Sequence, residues 1–338
     1  MIEHTISLQP FHTFGIDVKA KAFARFTTIQ EMQELLEDPA MLTSAQQLIL
    51  GGGSNILLTQ DFDGFVLKNE LPGLQVVGET ADHIFVKAGA GVNWHQFVLF
   101  CVDNGFAGTE NLSLIPGNVG ASPMQNIGAY GVEVKDIFHE LEAYHIKDKS
   151  FEIFDHQACA FGYRESAFKR KWKGQFIITS VTFRLDKKPV YHISYGAIQE
   201  KLDEMKISAL SIKAISDAVI AIRNSKLPDP KIIGNAGSFF KNPQVTLVKY
   251  EELVLSYPRI PAYPVDALHK KVPAGWLIEQ CGWKGYRKGD AGCYDKQALV
   301  LVNYGKASGA EIYELSEAII GSVKDTFGIE LEREVNVF

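Results

Sequence analysis

The chain has 338 residues, of which 46% are apolar, 22% charged and 11% aromatic, and 34 basic against 40 acidic side chains leave a net charge of −6. At roughly 100–200 residues per domain there is room for two or three packed domains, and the apolar fraction is too high for a disordered chain. No basic run is longer than Lys169-Arg170-Lys171, so the concentrated cationic face that duplex nucleic acid requires is absent. Polyanionic small molecules remain open, because they need only a few cations and backbone N–H groups.

No apolar window approaches the ~18–20 residues that span a bilayer. The start, Met1-Ile2-Glu3-His4, lacks the positive and apolar segments of a signal peptide, so a cytoplasmic protein is expected. Cys101, Cys159, Cys281 and Cys293 are far apart with no CxxC pair, and the nine histidines form no HExxH or HxH pattern. Reduced thiols and no metal site are the expectation.

In chain order, Thr28 and Glu31 form a capping box ahead of Ile29, Met32, Leu35 and Leu36, which predicts a helix. Gln47-Leu48-Ile49-Leu50 reads as a strand running into Gly51-Gly52-Gly53-Ser54-Asn55, and the chain continues extended through Ile56-Leu57-Leu58 and Gly64-Phe65-Val66-Leu67. From about 72 to 222, strands and turns dominate: 83–90, 140–147 and 176–186, the last with Ile177, Thr179, Val181, Phe183 and Leu185 on one face. A helix carries Trp94, Phe97, Val98, Cys101 and Val102 and stops at Gly105; a second carries Ile212, Ile215, Val219 and Ile222 and ends before Leu227-Pro228-Asp229-Pro230. Helices follow around 246–255 and 274–281. A last one opens on the Ser308/Glu311 box and closes at Gly328, and an extended 329–335 ends the reading.

The glycine run 51–55 is followed by an extended stretch rather than a helix, which argues against a Rossmann fingerprint, and no Walker A pattern exists. Such a turn can present successive N–H groups to a diphosphate, and it can equally be a plain tight turn. More specific is Ile115-Pro116-Gly117-Asn118-Val119-Gly120-Ala121-Ser122-Pro123, continuing through Met124-Gln125-Asn126-Ile127-Gly128-Ala129-Tyr130-Gly131. Four glycines and two prolines there exclude a regular helix or a central strand, and the low charge suggests backbone wrapped around a ligand. Phe161-Gly162-Tyr163-Arg164-Glu165-Ser166 sets a cation beside an aromatic. In Gly234-Asn235-Ala236-Gly237-Ser238-Phe239-Phe240-Lys241-Asn242-Pro243 the serine lies outside any GxSxG elbow, so Ser238 is a turn residue or a proton carrier.

Taken together and in order, the segments at 51–55, 114–133, 161–166, 226–243, 274–280 and 332–335 resemble the UDP-N-acetylenolpyruvoylglucosamine reductase family essentially end to end, and Ile193-Ser194-Tyr195-Gly196 resembles the extra tyrosine loop of its type I branch. The resemblance implies an α+β enzyme of peptidoglycan precursor synthesis, with a two-part FAD-binding module of the vanillyl-alcohol-oxidase (PCMH-like) type and a third α/β substrate-binding domain. The boundaries expected are 1–70 and 71–222 for the FAD subdomains and 226–327 for the UDP-sugar domain, with 328–338 returning to the active site. The implied reaction is NADPH-dependent reduction of UDP-N-acetylglucosamine enolpyruvate to UDP-N-acetylmuramate through non-covalent FAD, hydride passing from flavin N5 to the enolpyruvyl methylene carbon. A monomer acting on small molecules, without nucleic acid or membrane, is expected.

By the same resemblance Arg164, Ser238 and Glu334 are the catalytic residues: a guanidinium for the substrate carboxylate, a proton donor to the adjacent carbon, and a polarising carboxyl. FAD is assigned to Gly51, Gly52, Gly53, Ser54, Asn55, Ile115, Pro116, Gly117, Gly120, Ala121, Ser122, Asn126, Gly128, Ala129, Tyr130 and Gly131. The UDP-sugar is assigned to Tyr163, Tyr195, Lys226, Asn242, Tyr263, Lys284 and Gln297. Two departures stand out. Ala121 occupies a position where some relatives carry a serine near the flavin, and the family's Asn-Thr-Phe-Gly reads His12-Thr13-Phe14-Gly15, which leaves the role of His12 open. The rivals are a sugar oxidase or dehydrogenase on the same FAD scaffold, and a non-catalytic sugar-nucleotide-binding regulator.

Overall fold

The computed structural model describes every residue except Gly196, so the last position of the 193–196 loop motif lies outside the described residues. The chain divides into two compact units: residues 1–6, 20–52 and 63–225, and residues 7–19, 53–62 and 226–338.

The first unit is built on two sheets. Strands Glu3–Ser7, Lys19–Phe26, Phe62–Asn69 and Gln47–Leu50 lie in that order in a four-stranded sheet, the last two parallel. The helix Ile29–Leu36 covers it, opened by the Thr28/Glu31 box that the sequence predicts, and buries Met32 and Leu36 beside Phe26, Phe65 and Leu67. A second, antiparallel sheet has the order Ser150–Asp155, Phe138–His145, Phe176–Asp186, His83–Gly89, Leu74–Glu79. The central strand 176–186 buries the expected face and also Ile178, Ser180 and Thr182, because it is flanked by strands on both edges and covered on both sides. On one side Trp94 and Phe97 of helix Trp94–Asp103 meet Phe183, with ring centroids 5.7 and 4.5 Å from it. Burying aromatic area of this kind stabilises by roughly 2–3 kcal/mol per side chain. It also fixes the start of the helix, from which the glycine-rich loop hangs.

The second unit carries a four-stranded sheet (Gly234–Ser238, Val300–Asn303, Ala291–Cys293, Arg287–Lys288) and a three-stranded one (Gln244–Thr246, His269–Lys271, Tyr263–Pro264). Helix Gly309–Phe327 opens on the Ser308/Glu311 box, ends on Gly328 in the left-handed region, and buries Ile312, Leu315, Ile319, Val323 and Phe327. The tail is less regular than the expected extended run: Asn336–Val337 pairs in parallel with Ile56–Leu57, and Arg333 bridges to Phe240.

Residues 7–19 and 53–62 belong to this unit because Gly53 locks onto the N-terminal turn. Thr13 N–H donates to the Gly53 carbonyl at 3.0 Å. Gly53 has φ +62°, and a Cβ there would lie 2.1 Å from the Phe11 carbonyl oxygen and 2.7 Å from His12 Cα. Gly15 has the same φ of +62° with nothing within 4 Å of the corresponding point. The pair separates backbone strain from overlap. Gly15→Ala is expected to cost about 1–2 kcal/mol, the left-handed penalty alone, whereas Gly53→Ala is expected to cost roughly 4 kcal/mol or more. Urea denaturation of the two variants measures the difference; equal losses would contradict this packing.

Candidate active site

In the first unit the Ile115–Gly131 loop is stitched onto the residues leading into helix Trp94–Asp103. Gly120 N–H donates to Ala90 (3.0 Å), Val119 N–H to Val92 (2.8 Å), and Trp94 N–H to Gly117 (2.9 Å), while Trp94 Nε1 donates to the Leu112 carbonyl at 3.0 Å. Gly52 packs backbone to backbone on this loop, since a Cβ there would sit 2.7 Å from Gly117 Cα and 3.0 Å from Asn118 Oδ1. Beneath the turn, buried Lys68 donates its Nζ to the Gly51 carbonyl at 2.5 Å, and burial lowers its pKa. Lys68 carries no sequence signal, being one lysine inside a strand.

Asn126, in the left-handed region at φ +44°, spends its side chain on the loop itself: Nδ2 donates to Gly162 O (3.0 Å) and Glu133 Oε2 (3.1 Å), and Oδ1 accepts from Lys135 N–H (3.0 Å). Ser122 Oγ likewise donates to Val119 O at 2.8 Å. Ala121 Cβ is 3.9 Å from where a Gly51 Cβ would be, ordinary van der Waals contact that leaves room for its methyl. Asn111 Nδ2 donates to the carbonyls of Tyr130 (2.9 Å) and His192 (2.7 Å). Arg164, also left-handed at φ +54°, reaches the same loop from 161–166: Nη2 donates to Gly128 O at 2.8 Å, and its guanidinium lies 5.4 Å from the Tyr163 ring centroid. Half-exposed Tyr195 lies beside Gly131, a Cβ on which would meet Tyr195 Cβ at 3.3 Å.

In the second unit Ser238 is exposed at the end of strand Gly234–Ser238. The residues after it run antiparallel to the C-terminal segment: Glu334 N–H donates to Phe239 O (2.9 Å), Phe240 bridges Arg333, and Lys241 N–H donates to Glu332 O (2.9 Å). Ser238 and Glu334 are thereby neighbours on facing stretches. Asn55 joins them, its Nδ2 donating to the Glu334 carbonyl at 3.1 Å. Asn242 Oδ1 accepts from Ala274 N–H at the start of helix Ala274–Gln280 (2.9 Å), and Gln297 Oε1 from Leu299 N–H (3.3 Å). Lys284 pairs with Glu279 at 2.9 Å; Tyr263 and Lys226 are exposed. A groove of about 400 Å³ lined by Thr59, Ala310, Tyr313, Glu314, Arg333 and Val337 includes no expected site residue. Its guanidinium is already held by Ser316 at 2.8 Å and Glu317 at 2.5 Å.

His12 acquires a clear role. Its Nε2 donates to the Ile16 carbonyl at 2.9 Å, which closes the 12–16 turn and leaves the proton-free Nδ1 buried. Burial lowers its pKa against the opposing effect of the Ile16 bond; burial and then the Arg223 charge lower that of His95. Both rings are neutral in the fold and pick up protons more readily when unfolded. Their contribution is therefore complete above about pH 6.5 and is lost as pH falls from there through their lowered folded-state values. Urea midpoints measured from pH 7.5 down to 5 are expected to decline, with a shallower decline in His12→Asn.

The backbone supplies anion donors. The N–H groups of Gly52 and Gly117 in the first unit, and of Gly53 and Ser54 in the second, donate to no protein acceptor among the described residues. Consecutive donors on glycine turns suit a diphosphate, so the residues present fit FAD. Residues 20–148 match a model for an FAD binding domain, and residues 229–338 match one for the C-terminal domain of UDP-N-acetylenolpyruvoylglucosamine reductase. An FAD-binding domain joined to that second domain defines a flavin-containing oxidoreductase of α+β architecture. UDP-N-acetylenolpyruvoylglucosamine reductases from Amoebophilus asiaticus (50% identical, 99% of both chains), Pseudomonas putida (47%, 99% of this chain and 98% of the relative) and Bacteroides fragilis (46%, 99% of both) match along the whole length. The chain belongs to the UDP-N-acetylenolpyruvoylglucosamine reductase family. The crystal structure of the Thermus caldophilus enzyme shares its fold, with a TM-score of 0.70 at 23% identity over 100% of this chain and 99% of that one. No helix among the described residues is long and apolar enough to cross a membrane.

Proposed function

We propose that the protein reduces UDP-N-acetylglucosamine enolpyruvate to UDP-N-acetylmuramate with NADPH, as a cytoplasmic step of peptidoglycan precursor synthesis. The observation that carries the reading is the pairing of 239–241 with 332–334, which makes Ser238 and Glu334 neighbours in a chain whose relatives bear this reductase name. When bound, FAD would supply the hydride chemistry that links NADPH to the enolpyruvyl methylene carbon.

Each residue then has a defined task. The 51–55 turn holds the diphosphate through its N–H groups, and the 115–131 loop holds the ring. Adding hydride to the methylene carbon leaves negative charge on the neighbouring carbon and its carboxylate. Groups aimed at that charge stabilise the transition state more than the substrate. Arg164 binds the carboxylate; a guanidinium has five N–H donors, so its bond to Gly128 and this task are compatible. Ser238 Oγ gives its proton to the carbon bearing the carboxylate, and Glu334 polarises the substrate. A serine hydroxyl is a weak acid, and it suffices because the acceptor is a strong base held in contact. Tyr163, Tyr195, Lys226, Asn242, Tyr263, Lys284 and Gln297 take the UDP-sugar, the lysines facing its diphosphate.

Steady-state assay of the purified protein tests the reading. It is expected to release FAD on denaturation and to consume NADPH only when the enolpyruvyl sugar is present. Oxygen-driven turnover on sugars, without that substrate, would overturn it in favour of an oxidase.

A further inference from the structure

We propose that His95 and Arg223 are positioning residues that hold Leu114 in the left-handed conformation, so that the Ile115–Gly131 loop meets the flavin already shaped. The inference rests on the FAD reading above. Leu114 has φ +59°, a region that a residue with a Cβ rarely adopts. Its N–H donates to His95 Nδ1 at 3.0 Å, and its carbonyl accepts from Arg223 Nε at 3.2 Å. Those two groups belong to the peptide planes on either side of Leu114. Anchoring both planes fixes φ and ψ of that one residue.

The anchors come from separate helices, Trp94–Asp103 and Ile212–Lys226. The residue before is pinned as well: Ser113 Oγ donates to the Glu110 carbonyl at 2.7 Å and lies 2.8 Å from Ser216 Oγ on the second of those helices. His95 serves as an acceptor because Nδ1 carries a lone pair and the proton sits on Nε2, the neutral form that burial and the facing Arg223 favour. Immediately past Leu114 the chain enters the loop that the N–H groups of Val119 and Gly120 tie to Val92 and Ala90. A strained residue held from outside at the mouth of a binding loop sets the path of everything that follows it.

The test strips FAD from the full-length protein and measures its rebinding by flavin fluorescence in wild type, His95→Ala, His95→Asn, Leu114→Gly and His95→Ala/Leu114→Gly. Leaving the Leu114 N–H without an acceptor is expected to weaken FAD binding about tenfold or more in His95→Ala. His95→Asn, whose Oδ1 stands near the place of Nδ1, is expected to stay within about threefold of wild type. Glycine adopts positive φ without help, so adding Leu114→Gly to His95→Ala is expected to restore affinity to that of Leu114→Gly alone. Arg223→Met, read with and without Leu114→Gly, gives an independent second arm with the same expectation. Wild-type affinity in His95→Ala, or a loss that Leu114→Gly does not relieve, would overturn the positioning role. A wild-type protein with no affinity for FAD would overturn the flavin reading itself, which separates the two failures.

Discussion

Ser238→Ala is expected to let NADPH reduce the flavin at the wild-type rate while reduction of the enolpyruvyl sugar falls by ~10²–10⁴ or more, the usual loss when a positioned acid is deleted. The split follows from where the proton is needed. Nothing in the NADPH half-reaction requires a hydroxyl donor, whereas the second half-reaction leaves a carbanionic centre that must be protonated. Ser238 is exposed at the end of its strand, and its neighbours Phe239 and Phe240 are buried, so the variant removes one oxygen without disturbing the core. Stopped-flow absorbance of the flavin separates the two halves directly. A common fall in both would show that Ser238 supports the fold or the flavin rather than the protonation.

Arg164→Ala is expected to lower kcat for sugar reduction by about 10²–10³, the cost of removing one donor aimed at developing charge. Arg164→Lys is expected to recover little of this, since an ammonium cannot reproduce the planar fork. A second consequence is measurable, because Nη2 also donates to Gly128 at 2.8 Å. Flavin affinity should weaken modestly in both variants. The decisive reading is taken with FAD in saturating excess. If the rate then returns to wild type, Arg164 is a buttress of the 126–128 turn and its assignment to the substrate carboxylate is wrong.

Sequence signals suffice wherever the physics is local. The Thr28/Glu31 and Ser308/Glu311 boxes both form, and Gly328 adopts φ +65° at the helix end, because caps depend only on residues three or four apart. Period-two alternation found strand 176–186 but gave no hint that its other face is buried too, which depends on partners distant in sequence. The parallel pairing of Asn336–Val337 with Ile56–Leu57, and the grouping of residues 7–19 and 53–62 with the C-terminal unit, have no local signature. The fit of Gly53 against Phe11 and His12 within that unit is a matter of close approach rather than pattern.

The same contrast holds in the site. The roles proposed for Ser238, Arg164 and Glu334 come from the specificity of the motifs around them. The contacts that bring Ser238 beside Glu334 run through backbone hydrogen bonds, to which side-chain identity is nearly silent. Lys68, His95, Asn111 and Arg223 carry no local signal, since each acts on a carbonyl or N–H of a loop distant in sequence. A polar residue inside a regular element becomes informative only once its partner is known.

Anaerobic single turnover tests the central claim most directly: the protein is reduced with one equivalent of NADPH and then mixed with UDP-N-acetylglucosamine enolpyruvate, with flavin absorbance followed in time. The account predicts that the yellow colour returns as one equivalent of UDP-N-acetylmuramate forms. A flavin that stays bleached in the presence of the sugar, yet recovers at once when oxygen is admitted, would contradict it.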